Sequence, residues 1–184
     1  MWLLVVGMVV FFGVHLVPSS PVLRDALVAR LGEAGYKGLF SVLSLLGFAL
    51  LVVGTARAES MPIWQPPAWG RYAALALMPF AFISLAAAYL PSNVKRWTRH
   101  PMLWGVVIWA AAHLSANGDL ASALLFGSFG VYALFGMASA NRRGAQLAAR
   151  RRARGWDVAL VTVGLAAYGT VLVLHAQLFG AAVI

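Results

Sequence analysis

The sequence predicts an all-α, polytopic membrane helix bundle of about six transmembrane helices, with both termini on the extracytoplasmic side. Three observations predict it. Of 184 residues, 62% are hydrophobic and only 10% charged, whereas soluble domains are roughly half apolar and a quarter charged. The apolar residues gather in six segments of bilayer-crossing length. The basic residues fall between alternate segments. No stretch is left over for a separate soluble domain, so residues 1–184 read as one integral membrane domain.

The six segments lie at about 2–18, 38–56, 70–90, 101–116, 120–140 and 158–180. The first, within MWLLVVGMVVFFGVHLVP, lacks a basic leader and a small-residue cleavage site. It therefore reads as a retained span rather than a signal peptide. PVLRDALVARLGEAGYKG, which follows, has the pattern of an amphipathic surface helix capped by Ser20 and opened by Pro21. The fourth span is short and starts at Pro101, a residue suited to a first helical turn. Asn117-Gly118-Asp119 reads as a tight turn into the fifth.

Charge orders these spans. Arg24, Arg30 and Lys37 follow span one, and Lys95, Arg96 and Arg99 follow span three. Arg142, Arg143, Arg150, Arg151, Arg152 and Arg154 follow span five. Six spans put these twelve on one face and leave Arg57 and Arg71 on the other. The positive-inside rule makes the basic face cytoplasmic, as in a bacterial inner membrane. Trp2, Trp64 and Trp69 then mark the outer boundary, and Trp97, Trp104 and Trp156 the inner one. NRRGAQLAARRRARG has no aromatic interleaving, so it reads as a topology anchor beside anionic lipid and not as a nucleic-acid site. Ser41, Ser44 and Gly47 in span two, and Gly127, Gly130 and Gly136 in span five, are read as helix-packing stripes. The absence of cysteine excludes disulfides, thiolate metal sites and cysteine nucleophiles.

Four histidines remain: His15, His100, His113 and His175. Ionisable groups at membrane depth are costly and usually face a partner or a cavity. A neutral imidazole bonded to a carbonyl or hydroxyl is one reading; metal ligation or proton transfer is the other. Imidazole is a common axial ligand of haem iron, and bundle cores hold haems. At about 1.5 Å per residue, His113 lies roughly 20 Å along its helix from His100. Depth therefore pairs His15 with His100, and His113 with His175. Trp109 and Asn117 flank His113 four residues to either side. Trp109 is placed to flank a flat cofactor, and Asn117 to bond the outer imidazole nitrogen. Arg99 and His100 precede a helix start, where they suit a haem propionate, a phosphate headgroup or a plain interfacial anchor.

RHPMLWGVVIWAAAHLSANGDLASALLFGSF closely resembles the core motif of the NnrU family of bacterial membrane proteins. FFGVHL, RLGEAGYKGLFSVLSLLGF and LHAQLFG extend the resemblance over nearly the whole chain. Plant zeta-carotene isomerases carry a similar domain. That resemblance implies a haem b with His15 and His113 as axial ligands, His100 and His175 as supporting or substrate-side residues, and redox-dependent cis–trans isomerisation of a hydrophobic polyene. The bacterial branch implies an alternative: a non-enzymatic haem sensor, electron carrier or accessory protein in nitric-oxide and nitrite metabolism. The redox partner is unknown in either case. A third class, membrane methyltransferases using S-adenosylmethionine, shares RHP but places paired glutamates downstream. From residue 120 onward this chain has no glutamate, and Asp157 is its only acid.

Overall fold

A computed structural model describes residues 1–180 and 183. Among them the architecture is all-α: α1 (Trp2–Leu16), α2 (Pro21–Ala56), α3 (Gly70–Tyr89), α4 (Pro101–Ala116), α5 (Leu120–Arg142) and α6 (Arg154–Phe179). Five helical segments, the first being α1 together with the 3-10 turn that extends it to Ser19, are long and apolar enough to span a bilayer, which makes this a multi-pass membrane protein. The exception, α4, has 16 residues. It is about 24 Å long at 1.5 Å per residue, against a hydrocarbon core of about 30 Å. The chain divides into two compact units, Met1–Met61 and Pro62–Ile184.

The first unit is an antiparallel hairpin of α1 and α2, held by direct backbone approach. A Cβ added at Gly54 would lie 2.4 Å from the Leu4 nitrogen. One at Gly7 would lie 2.7 Å from the Leu51 nitrogen, and one at Gly47 2.7 Å from that of Phe11. Apolar lipid gives helices no hydrophobic reason to associate, so such close van der Waals packing is what joins them. Leu4 and Leu51 are buried in this seam.

The predicted surface helix and span two are two helical segments that meet at a kink within α2. The run is broken only at Gly32, with φ 70° and ψ 164°. That left-handed φ costs a side chain far more than it costs glycine. Glu33, just past the break, pairs with Lys37 at 3.1 Å and Arg24 at 3.8 Å, and so ties the two segments together. Pro21 opens the run as expected, but the Ser20 side chain makes no capping bond.

The second unit packs its helices in the order α6–α3–α4–α5. The antiparallel pair α3 and α4 meets at Gly70, whose added Cβ would strike the Ser115 carbonyl, and at Gly105, against Leu85 and the Ala81 carbonyl. On the other side of α3, Gly164 of α6 abuts Ile83. The span-five stripe behaves unevenly. Gly130 and Gly136 touch Ala110 and Leu103, whereas Gly127 has open space where its side chain would be.

Each end of this unit is tied. At one, Ile63 and Trp64 donate their N–H groups to the Gly118 carbonyl at 2.8 and 3.1 Å. Asp119 then caps α5, accepting from the Ser122 N–H at 2.9 Å and its hydroxyl at 2.6 Å. Partial burial pushes the Asp119 carboxyl up, but the Ser122 bonds and neighbouring backbone N–H groups outweigh it and hold the group below its ordinary range. At the other end, Asn93 bonds both carboxylate oxygens of Asp157, at 2.8 and 2.6 Å. Its own carbonyl oxygen accepts the Arg152 N–H at 2.9 Å. Ala148 donates to the Lys95 carbonyl at 2.9 Å. The arginine-rich connection is thus fastened to the α3–α4 loop.

Candidate functional site

His15 sits in the last turn of α1, where its Nδ1 lies 2.7 Å from the Phe11 carbonyl oxygen. A carbonyl only accepts, so Nδ1 carries the proton and Nε2 carries the lone pair of the neutral ring. The imidazole stacks on Phe11 at 4.1 Å and 24°, with Phe40 of α2 tilted 5.1 Å away. The result is an imidazole of fixed tautomer, walled by apolar rings.

In the second unit His113 repeats this arrangement. Its Nδ1 lies 2.9 Å from the Trp109 carbonyl oxygen, so its lone pair also resides on Nε2. It stacks on Phe126 of α5 at 4.5 Å and 25°. Trp109 meets Phe126 and Phe129 edge-on at 4.8 and 5.5 Å, and lies 5.2 Å from the His113 ring. His175 of α6 has its ring 5.0 Å from that of Phe179.

Asn117 does not bond the imidazole. Its side chain donates to the His113 backbone carbonyl at 2.8 Å. The carbonyl one turn back along α4 orients the ring instead. Asn117 closes the end of the helix, a role the four-residue spacing serves equally well. Trp109 is one wall of an aromatic cluster around His113.

His100 differs from His15 and His113. It is the residue before α4, with φ −131° and ψ 59°, outside the helical region that a following proline disfavours. Its Nε2 lies 2.9 Å from Asn141 Oδ1, which also accepts from Arg99 Nη1 at 3.2 Å. Because Arg99 can only donate, this amide oxygen is an acceptor and His100 Nε2 carries the proton. So His100 presents the opposite tautomer from His15 and His113. Arg99, His100 and Lys95 line a cleft of about 380 Å³ together with Gln146 and Ala148. Asn141, Gln146 and the Asn93–Asp157 clamp escape sequence reasoning. The one signal was that Asp157 is the sole acid after residue 120.

Among the described residues no three His, Asp or Glu side chains converge to hold a bare metal ion. Haem asks less of the chain, since the porphyrin supplies four nitrogens and the protein only axial ligands. Fixed-tautomer imidazoles walled by aromatic rings fit that requirement.

A family model described as NnrU protein matches residues 3–183. The chain belongs to the NnrU family. The match takes in both compact units and all four histidines, so the NnrU domain embraces the α1–α2 hairpin as well as the α3–α6 bundle. No curated protein and no solved structure matches the chain.

Proposed function

We propose that this NnrU protein binds haem b through His15 and His113 and acts as a redox-dependent cis–trans isomerase of a hydrophobic polyene. The observation that carries the haem reading is the shared state of these two imidazoles. Each commits Nδ1–H to the carbonyl one turn back and keeps its lone pair on Nε2 beside a stacked phenylalanine. Such a bond from the remote nitrogen fixes ring orientation and raises ligand basicity. The isomerase reading rests on the resemblance to the zeta-carotene isomerases.

When bound, haem b supplies a redox-active iron able to polarise a double bond. The chain supplies the rest. Phe11 and Phe40 wall His15, and Trp109 and Phe126 wall His113, each with apolar surface that suits a hydrocarbon substrate. His175 is the substrate-side polar group that the resemblance implies. In this reading the protein lies in a bacterial inner membrane, its basic loops face the cytoplasm and both termini lie outside.

The test is incubation of haem-loaded protein with a cis-configured polyene hydrocarbon, with and without dithionite, followed by chromatographic separation of isomers. Conversion that requires reduction is the expected result. Haem binding with no conversion in either redox state would remove the isomerase and leave the sensor or electron-carrier reading.

A further inference from the structure

The cleft between the end of α3 and the start of α4 is separate from the aromatic cluster around His113. Its polar lining is cationic or neutral: Lys95, Arg99, His100 and Gln146. Its remaining walls are apolar, among them Pro101, Met102 and Leu103. No carboxylate compensates the charge. Among the described residues every ion pair lies on α2. The second unit contains two acids, Asp119 and Asp157. Asp119 is bonded to Ser122 at the opposite end of α4, and Asp157 to Asn93. Neither lines the cleft.

These polar groups are held in place. Asn141 Oδ1 accepts from Arg99 and His100 together, and Lys95 Nζ donates to the Ala88 carbonyl at 2.8 Å. Each bond uses one of Arg99's five N–H donors or one of Lys95's three. Positioned cations without a counter-charge favour an anion with several acceptor oxygens, and a guanidinium beside an ammonium suits phosphate. The cleft is several times larger than a phosphate group needs, and it is bounded by apolar side chains. Trp97 next to it is 82% exposed, and Trp104 and Met102 are also exposed. Tryptophans of this kind sit at headgroup level, and basic pockets between membrane helices take anionic headgroups.

We infer that Lys95, Arg99 and His100 form a binding site for the phosphate-bearing headgroup of an anionic membrane lipid. The lipid phosphate lies against Arg99 and Lys95, and its glycerol and upper acyl chain lie along Met102 and the exposed tryptophans. The site is independent of whether haem binds.

The test is native mass spectrometry of the full chain released from nanodiscs of equal phosphatidylglycerol and phosphatidylcholine. The unmodified protein is expected to retain phosphatidylglycerol about tenfold in preference. K95Q/R99Q is expected to lose that preference, and R150Q/R151Q, which removes two charges outside the cleft, to keep it. The single variant K95Q repeats the test with the Arg99–Asn141 bond intact, should the double variant not fold. Equal retention of both lipids by the unmodified protein, or an undiminished preference in K95Q/R99Q, overturns the site. Displacement of the lipid by millimolar inorganic phosphate assigns the cleft to soluble phosphate and overturns the lipid assignment. Loss of haem with retention of lipid in K95Q/R99Q gives the cleft to the cofactor's carboxylates and also overturns it.

Discussion

His113 Nδ1 donates to the carbonyl oxygen of Trp109, 2.9 Å away on the preceding turn of α4. His15 has the same relationship to Phe11 at 2.7 Å, whereas His100 engages its Nε2 with Asn141. The rings therefore differ in which nitrogen makes the bond: Nδ1 in His15 and His113, Nε2 in His100. With haem bound as proposed, replacing His15 or His113 with alanine is expected to abolish or convert its absorption spectrum. His100→Ala is expected to retain the Soret position, as absorption spectra at matched protein concentration will check.

The α1–α2 hairpin rests on glycines that admit no side chain. Gly54→Ala puts a Cβ against the Leu4 backbone, so α1 has to move away. Overpacking of this kind costs about 1–3 kcal/mol. Gly13→Ala, with nothing within 4 Å of the added carbon, is expected to be neutral or stabilising by up to about 1 kcal/mol through helix propensity. Thermal or denaturant unfolding of the two variants in one detergent gives the comparison.

Asp119 caps α5 through Ser122. Asp119→Ala is expected to cost about 1 kcal/mol. The folded carboxyl titrates below its ordinary value, which for an unfolded aspartate is about 3.9. The cap's contribution is therefore complete above about pH 4 and is lost as pH falls through the lower folded value. Unfolding midpoints of wild type and Asp119→Ala are expected to converge below that pH. A constant gap at all pH values would show that the charge is not responsible.

Asn93 holds the arginine-rich connection by bonding Arg152 and Asp157 at once. Asn93→Ala is expected to free that connection and raise the rate of tryptic cleavage at Arg150–Arg152 several-fold, with little change in cleavage at Arg57. Gel analysis of a digestion time course reads both sites.

Much of this fold is written in apolar segment length. The helix boundaries at Trp2, Gly70, Pro101 and Leu120 fall where the segments begin, because only helices satisfy backbone groups in lipid. The join at Gly32 was not legible, since a glycine amid alternating apolar and charged residues signals neither its φ nor the helical turns on both sides. Gly127 looked like Gly130 in the sequence, yet only the second meets a neighbouring helix. The histidines were legible as rare polar groups. Their tautomers were not, because backbone carbonyls accept the decisive bonds of His15 and His113, and every residue has one. The contribution of Asn141 was hidden by its 41-residue separation from His100.

The proposed binding of haem by His15 and His113 has a direct spectroscopic test. An absorption spectrum of the detergent-purified protein, oxidised and then dithionite-reduced, with haem quantified per chain, tests it most directly. The expected result is a Soret band, sharp α and β bands on reduction, a single haem per chain, and loss of these features in His113→Ala. Absence of haem after reconstitution, or full haem retention in His113→Ala, would contradict it.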